Sequence, residues 1–310
     1  MKYYVLFLTS VAWAQSTSTT LTTGLNGNIV SDGSVITQDG VTTRTTKSIN
    51  DGQVPQEQTI VRVLSKSAAG QVTEKIVRKF DQTGALVSTE RIVTDEQKQP
   101  SGTLVKSTTY RSDINGNMAE AERKTVETTT QGAVTNTSTT VAQSTLNGFA
   151  TVEKRAAVTE TSGNTTHSDE TVYRLNDNGA YYPAFRTVSD TTQSGGKTIE
   201  KTVQYQPILE PNKMELVKQI VTTTTTQPDG TTVEQSDYYR PNAPGIATGS
   251  NAAPRLYEQD TVERKPGPNH SVTETTTARR GSIDHPAQLG PPIKVSETVC
   301  TGNCQPSKTN

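Results

Sequence analysis

Glycine returns along this 310-residue chain in two interleaved series, and that recurrence limits its possible folds more than any other feature. One series runs Gly52, Gly84, Gly116, Gly148 and Gly179, with Asn212 next in step. The other runs Gly40, Gly70, Gly102, Gly132, Gly163, Gly195 and Gly230. Spacing within each series stays near 32 residues, so a turn signal arrives about every 16. Several of these positions form Asp-Gly or Asn-Gly pairs, led by Asp39, Asp51, Asn115, Asn147, Asn178 and Asp229. Such pairs suit type I′ hairpin turns, whose two central residues need positive φ. Between the turns lie runs rich in Thr, Val, Ile and Tyr and almost free of proline, such as Thr59 to Ser65, Val134 to Val141 and Lys197 to Tyr205. Each repeat therefore reads as one β-hairpin.

What the hairpins build depends on their faces. The chain is 30% hydrophobic, with one Trp and four Phe, but it holds 55 Thr. Threonine is β-branched, favours strands and hydrogen-bonds on a wet surface. Runs such as Thr137 to Thr140 and Thr222 to Thr226 leave neither face of their strands apolar. The pattern predicts an all-β, extended antiparallel meander of about 32-residue hairpin repeats, single-layer or thinly layered, stable only where neighbours stack. A propeller uses shorter strands. A solenoid needs no tight turn at every strand end. An outer-membrane barrel has hairpins and aromatic girdles but requires an apolar outward face, which Thr-rich strands do not supply.

Other residues recur in phase. Arg91, Arg123, Arg155 and Arg186 each sit seven positions after a glycine of the first series. Tyr110, Tyr173, Tyr205 and Tyr239 close alternate strands, as Phe80 does, and the unit around Gly132 lacks such an aromatic. This Tyr/Arg ladder is read first as cross-strand packing and second as a ligand-facing surface.

The ends differ from the middle. Residues 1–14 read as a signal peptide: Lys2, an apolar stretch from Tyr3 to Val11, and Ala12-Trp13-Ala14 before Gln15. Residues 15–38 are a Thr/Ser-rich leader or a first hairpin, and 39–240 form the repeat domain. Residues 241–280 are a Pro/Gly-rich connection with room for last strands, and 281–310 a tail carrying Cys300 and Cys304. In an exported chain these two cysteines are expected to pair with each other.

No nucleophile elbow, phosphate loop, dinucleotide fingerprint or zinc-protease motif is present. His167, His270 and His285 have no partner at metal-ligand spacing. No catalytic, cofactor or metal residue is nominated. A net charge of −1 gives no footprint for nucleic acid and permits self-association. Phe80-Asp81-Gln82-Thr83-Gly84-Ala85-Leu86 resembles one YD-type repeat over a motif-sized stretch, with looser versions from Tyr110 to Met118 and Tyr173 to Tyr181. In composition the meander is similar to the single-layer sheet of spirochaete outer-surface lipoproteins. Neither resemblance supplies a binding site. The expectation is a secreted structural or adhesive protein with no enzymatic activity and no membrane span, self-assembling into a fibre or surface layer through edge strands. The second reading is a monomeric cell-surface module binding polysaccharide or a host protein.

Overall fold

The computed structural model describes residues 16–23, 29–38, 40–48, 55–113, 115–176, 178–208, 213–241, 254–281, 288–302 and 304. The signal-peptide expectation and the turn at Gly52 lie outside these residues, as do Asp39, Asp51, Asn212 and His285. The strands are β1 (Ser16–Thr23), β2 (Ile29–Gln38), β3 (Val41–Ser48), β4 (Pro55–Ser67), β5 (Gly70–Phe80) and β6 (Leu86–Gln99). There follow β7 (Gly102–Ser112), β8 (Met118–Gln131), β9 (Val134–Thr145), β10 (Gly148–Ser162), β11 (Thr165–Leu175) and β12 (Tyr181–Ser194). The last are β13 (Lys197–Pro207), β14 (Met214–Thr226), β15 (Thr232–Arg240), β16 (Arg255–Pro266), β17 (Val272–Arg280) and β18 (Ile293–Gly302).

Every strand pairs antiparallel with its chain neighbours, and β1 also pairs with β18, so the meander closes into an 18-stranded barrel. This corrects the expectation of an open, single-layer sheet. The cause is a register drift that accumulates around the sheet. Val41, the first residue of β3, leads through the pairs Arg62, Glu74, Val93, Thr108 and Arg123 to Ala142, the ninth residue of β9. Such a stagger tilts the strands and lets the two ends meet. Strands about 4.8 Å apart and tilted by about 40° give eighteen of them a backbone radius of roughly 18 Å.

The two rims differ. At one, short turns such as Pro100-Ser101, Gly132-Ala133 and Gly195-Gly196 join the strands. At the other, connections run from two-residue Leu146-Asn147 to the long segment between β15 and β16. Strand β1 begins and β18 ends at the short-turn rim. Residues 293–302, expected in a loose tail, form the strand that completes the ring. Their alternating β-branched residues decide this, because the flanking Pro291 and Pro292 stop short of the strand.

The turns also depart from expectation. In the β5–β6 turn, the Asp81 N–H donates to the Ala85 carbonyl at 3.0 Å and the Gly84 N–H to the Asp81 carbonyl at 3.1 Å. The Asp81 carboxylate accepts from the N–H groups of Thr83 and Ala85. Gly84 has φ +85°. The same arrangement recurs around Asp113 with Gly116 and Asn176 with Gly179. Asn147 and Asp229 do not have positive φ. In these turns the glycine is left-handed, and among the described residues the two positive angles of type I′ occur at Gly195-Gly196, with φ +54° and +79°, and at Asn269-His270, with φ +55° and +58°. Gly102 meets a different demand, since a Cβ there would sit 1.7 Å from the Thr128 carbonyl oxygen.

Candidate functional site

The register shows which side chains point into the barrel. Barrel strands coil right-handedly. With odd-numbered strands drawn upward, drift toward their C-terminal ends means that each next strand lies to the left, seen from outside. With even-numbered strands upward, it lies to the right. An L-residue on an upward strand, side chain toward the viewer, points its N–H and C=O to the right. Outward residues of even strands must therefore bond to the following strand. Lys98, Thr130, Thr161, Gln193 and Thr226, all on or ending even strands, instead donate back to Ala69, Ser101, Ala133, Asn164 and Gly196. They and the residues in phase with them face the lumen.

The lumen is polar and carries charges of both signs, several of them in opposed pairs. Glu90 meets Arg111 at 3.0 Å, Arg280 meets Glu258 at 3.0 Å, and Arg264 bonds Glu274 at 2.7 Å with Glu234 at 3.6 Å. Glu57 faces Lys79 in register. The densest cluster is on β10 and β11, where Glu153, only 13% exposed, accepts from Arg155 at 2.7 Å and Arg174 at 3.3 Å. The Arg174 guanidinium lies 5.1 Å from the Phe185 ring centre. Phe185, Val172 and Val217 line a groove of about 320 Å³ beside these three charged groups.

The outer face carries the ladder. Arg91 and Arg186 pair in register with Tyr110 and Tyr205, their guanidiniums 5.3 Å and 5.9 Å from the rings. Tyr239 faces Gln219. Arg123 faces Ala142, because the unit around Gly132 lacks an aromatic, and lies instead 4.0 Å from Phe149. Arg155 does not belong to the ladder; it faces the lumen. The β9–β10 turn is short and Gly148 already starts the strand, so Lys154 takes the outward place, opposite Tyr173 and 4.2 Å from the Tyr181 ring. These outward aromatics form a row near the long-loop rim. Below it the wall is Thr-rich and charged. Glu74, 1% exposed, is held between Arg62 and Arg91. Arg123 bonds Glu120, Arg186 bonds Asp169, and His167 bonds Asp190 at 2.7 Å. The sequence reading missed Glu74, Glu153, Arg174 and Phe185, for which periodicity gives no signal.

Cys300 and Cys304 are joined by a disulfide at the short-turn rim, where β18 meets β1. Among the described residues no group of three or more His, Cys, Asp or Glu is placed to hold a metal ion.

Solved structures share this architecture. OccK3 (OpdO) of Pseudomonas aeruginosa superposes with a TM-score of 0.56 at 9% identity, covering 93% of this chain and 95% of that one. Pseudomonas aeruginosa OpdL gives 0.51 at 10% identity, covering 93% and 98%. A Rh. blastica porin variant gives 0.48 at 7% identity, covering 93% and 99%. The fold is a porin-like barrel. No protein-family model matches the chain, and no curated protein matches it in sequence.

Barrel closure and this likeness overturn the expectation of a secreted fibre or adhesive subunit. Assembly through edge strands needs unpaired backbone, and pairing of β1 with β18 leaves the sheet no edge. The porin-like fold also overturns the monomeric surface module and the expected absence of a membrane span, which rested on Thr-rich strands that offer no apolar outward face.

Proposed function

We propose that this chain is an outer-membrane channel whose water-filled lumen passes small polar solutes. The observation that carries the reading is the closed 18-stranded barrel with a polar, charge-lined interior. Side chains fill the interior of an eight-stranded barrel, whereas 16 to 18 strands leave an aqueous bore. The rims agree with this: short turns and both strand ends lie at one, longer loops and an outward aromatic row at the other, as in outer-membrane barrels. Its charged outer wall is the cost of the reading, since an Arg or Lys on the lipid face costs about 2–4 kcal/mol at the midplane. Pairing of Glu74, Asp169 and Glu120 with arginines lowers that cost.

The test is refolding into detergent, transfer to lipid vesicles and planar bilayers, and recording of current. Flotation with the vesicles and stepwise conductance support the reading. A folded barrel, established by its β-sheet circular dichroism, that neither floats nor conducts would overturn it.

A further inference from the structure

We infer that the channel passes cations and anions at similar rates, and that Glu153 holds this balance. The inference rests on the proposed channel and adds its solute class: small polar solutes of either charge. Luminal acids and bases are interleaved along the wall: some stand within hydrogen-bond distance, as in Glu90–Arg111, Arg280–Glu258 and Arg264–Glu274, and others alternate along one strand, as Glu96 with Lys98 and Glu122 with Lys124. Such pairs act as short dipoles, whose field dies faster than that of a free charge. Screening over about 8 Å in physiological salt confines it further within a bore of roughly 18 Å backbone radius. Only an uncompensated charge can bias the permeating ions.

Glu153 is where the balance is most concentrated. One carboxylate serves two guanidiniums, Arg155 at 2.7 Å and Arg174 at 3.3 Å. Glu170, at 3.6 Å from Arg155, is the next acid. Both arginines stay about half exposed, at 45% and 52%, and so face the solution inside the bore. The adjoining groove brings solutes against this cluster. Loss of the Glu153 charge would leave a net positive patch in the lumen, and loss of Arg174 a patch shifted the other way.

The experiment is the reversal potential across a planar bilayer under a tenfold KCl gradient, for the full chain and four variants. The parent is expected near zero, with a permeability ratio within about twofold of unity. Glu153→Gln is expected to shift the potential toward anions and Arg174→Gln toward cations. The Glu153→Gln/Arg174→Gln pair should return near the parent. Asp190→Asn, on the outer face, should leave the potential unmoved. A parent strongly selective for either sign overturns the inference while the channel reading stands; absence of conductance in a folded parent defeats the channel reading itself. An unmoved potential in both Glu153→Gln and Arg174→Gln removes the assigned role of this cluster. A shift in Asp190→Asn overturns the assignment of faces. Two single variants of opposite expected sign keep the test decisive should one fail to fold.

Discussion

Glu74 offers the sharpest check on the barrel wall. Its carboxylate is buried, and it ties β5 to both neighbours through Arg62 on β4 and Arg91 on β6. A charge-assisted hydrogen bond of this kind contributes about 1.5–3 kcal/mol. Both arginines are half exposed on the outer wall, at 50% and 42%, so each bond is taken at the low end of that range, about 1.5 kcal/mol. Glu74→Gln keeps the shape and one acceptor, and is expected to destabilise the barrel by about 1–2 kcal/mol. Glu74→Ala also empties a packed site and should cost about 2–3 kcal/mol. A cycle with Arg91→Ala should return a coupling of about 1.5 kcal/mol. Replacing the triad together, as Arg62→Met, Glu74→Leu and Arg91→Met, should recover or exceed parental stability, since apolar groups of similar volume avoid the desolvation of buried charge. The measurement is reversible urea unfolding in detergent micelles followed by far-UV circular dichroism. A Glu74→Gln variant within about 0.5 kcal/mol of the parent, the range of ordinary surface changes, together with no coupling to Arg91, would refute the triad as a clamp across three strands.

Other outcomes follow from the turns and the seam. Hydrogen bonds hold the turn carboxylates below the usual range: Asp81 through the Thr83 hydroxyl and the Ala85 N–H, and Asp113 through the Asn117 N–H. A carboxylate with a lowered pKa contributes stability above its unfolded pKa and loses it as pH falls through the folded one. Melting temperature should therefore drop in acid, and Asp81→Asn with Asp113→Asn should flatten that drop, because Asn176 already makes the same turn uncharged. Gly102→Ala should block correct pairing of β7 and β8, at a cost of about 3 kcal/mol or more, while Gly163→Ala, with φ +58° in open space, should cost only about 1 kcal/mol; urea unfolding separates them. Replacing Cys300 and Cys304 by serine should loosen the end of β18 by about 2 kcal/mol, read as faster amide exchange over residues 293–302.

Much of the strand plan is legible in the sequence because turn chemistry is local. The glycine series marks hairpin ends from Gly70 to Gly230, and Thr-rich runs between them become strands. Closure is not legible, since each hairpin adds only a small stagger and the ring depends on the accumulated drift that leads from Val41 to Ala142. Turn type was misread because Asn-Gly serves two geometries, and only the hydrogen bonds from Asp113 and Asn176 tell them apart. Arg155 shows how narrow the margin is on a strand. A shorter turn before Gly148 moves its phase by one residue, and one residue separates the outer wall from the lumen. Glu153 was hidden for the same reason: its two arginines become neighbours only through the pairing of β10 with β11.

The seam between β1 and β18 has one more consequence. Ser18 faces Gly302, so the first strand begins and the last strand ends side by side at the rim of short turns. A ring whose first and last strands meet in this way has no topological beginning. Residues 302 and 16 can be joined by a short flexible linker and the backbone cut at Pro100-Ser101 or Gly195-Gly196, giving circular permutants that lay the same eighteen strands in the same ring. Which strand leaves the ribosome first then becomes a free choice, and the order of assembly can be varied without altering the finished wall.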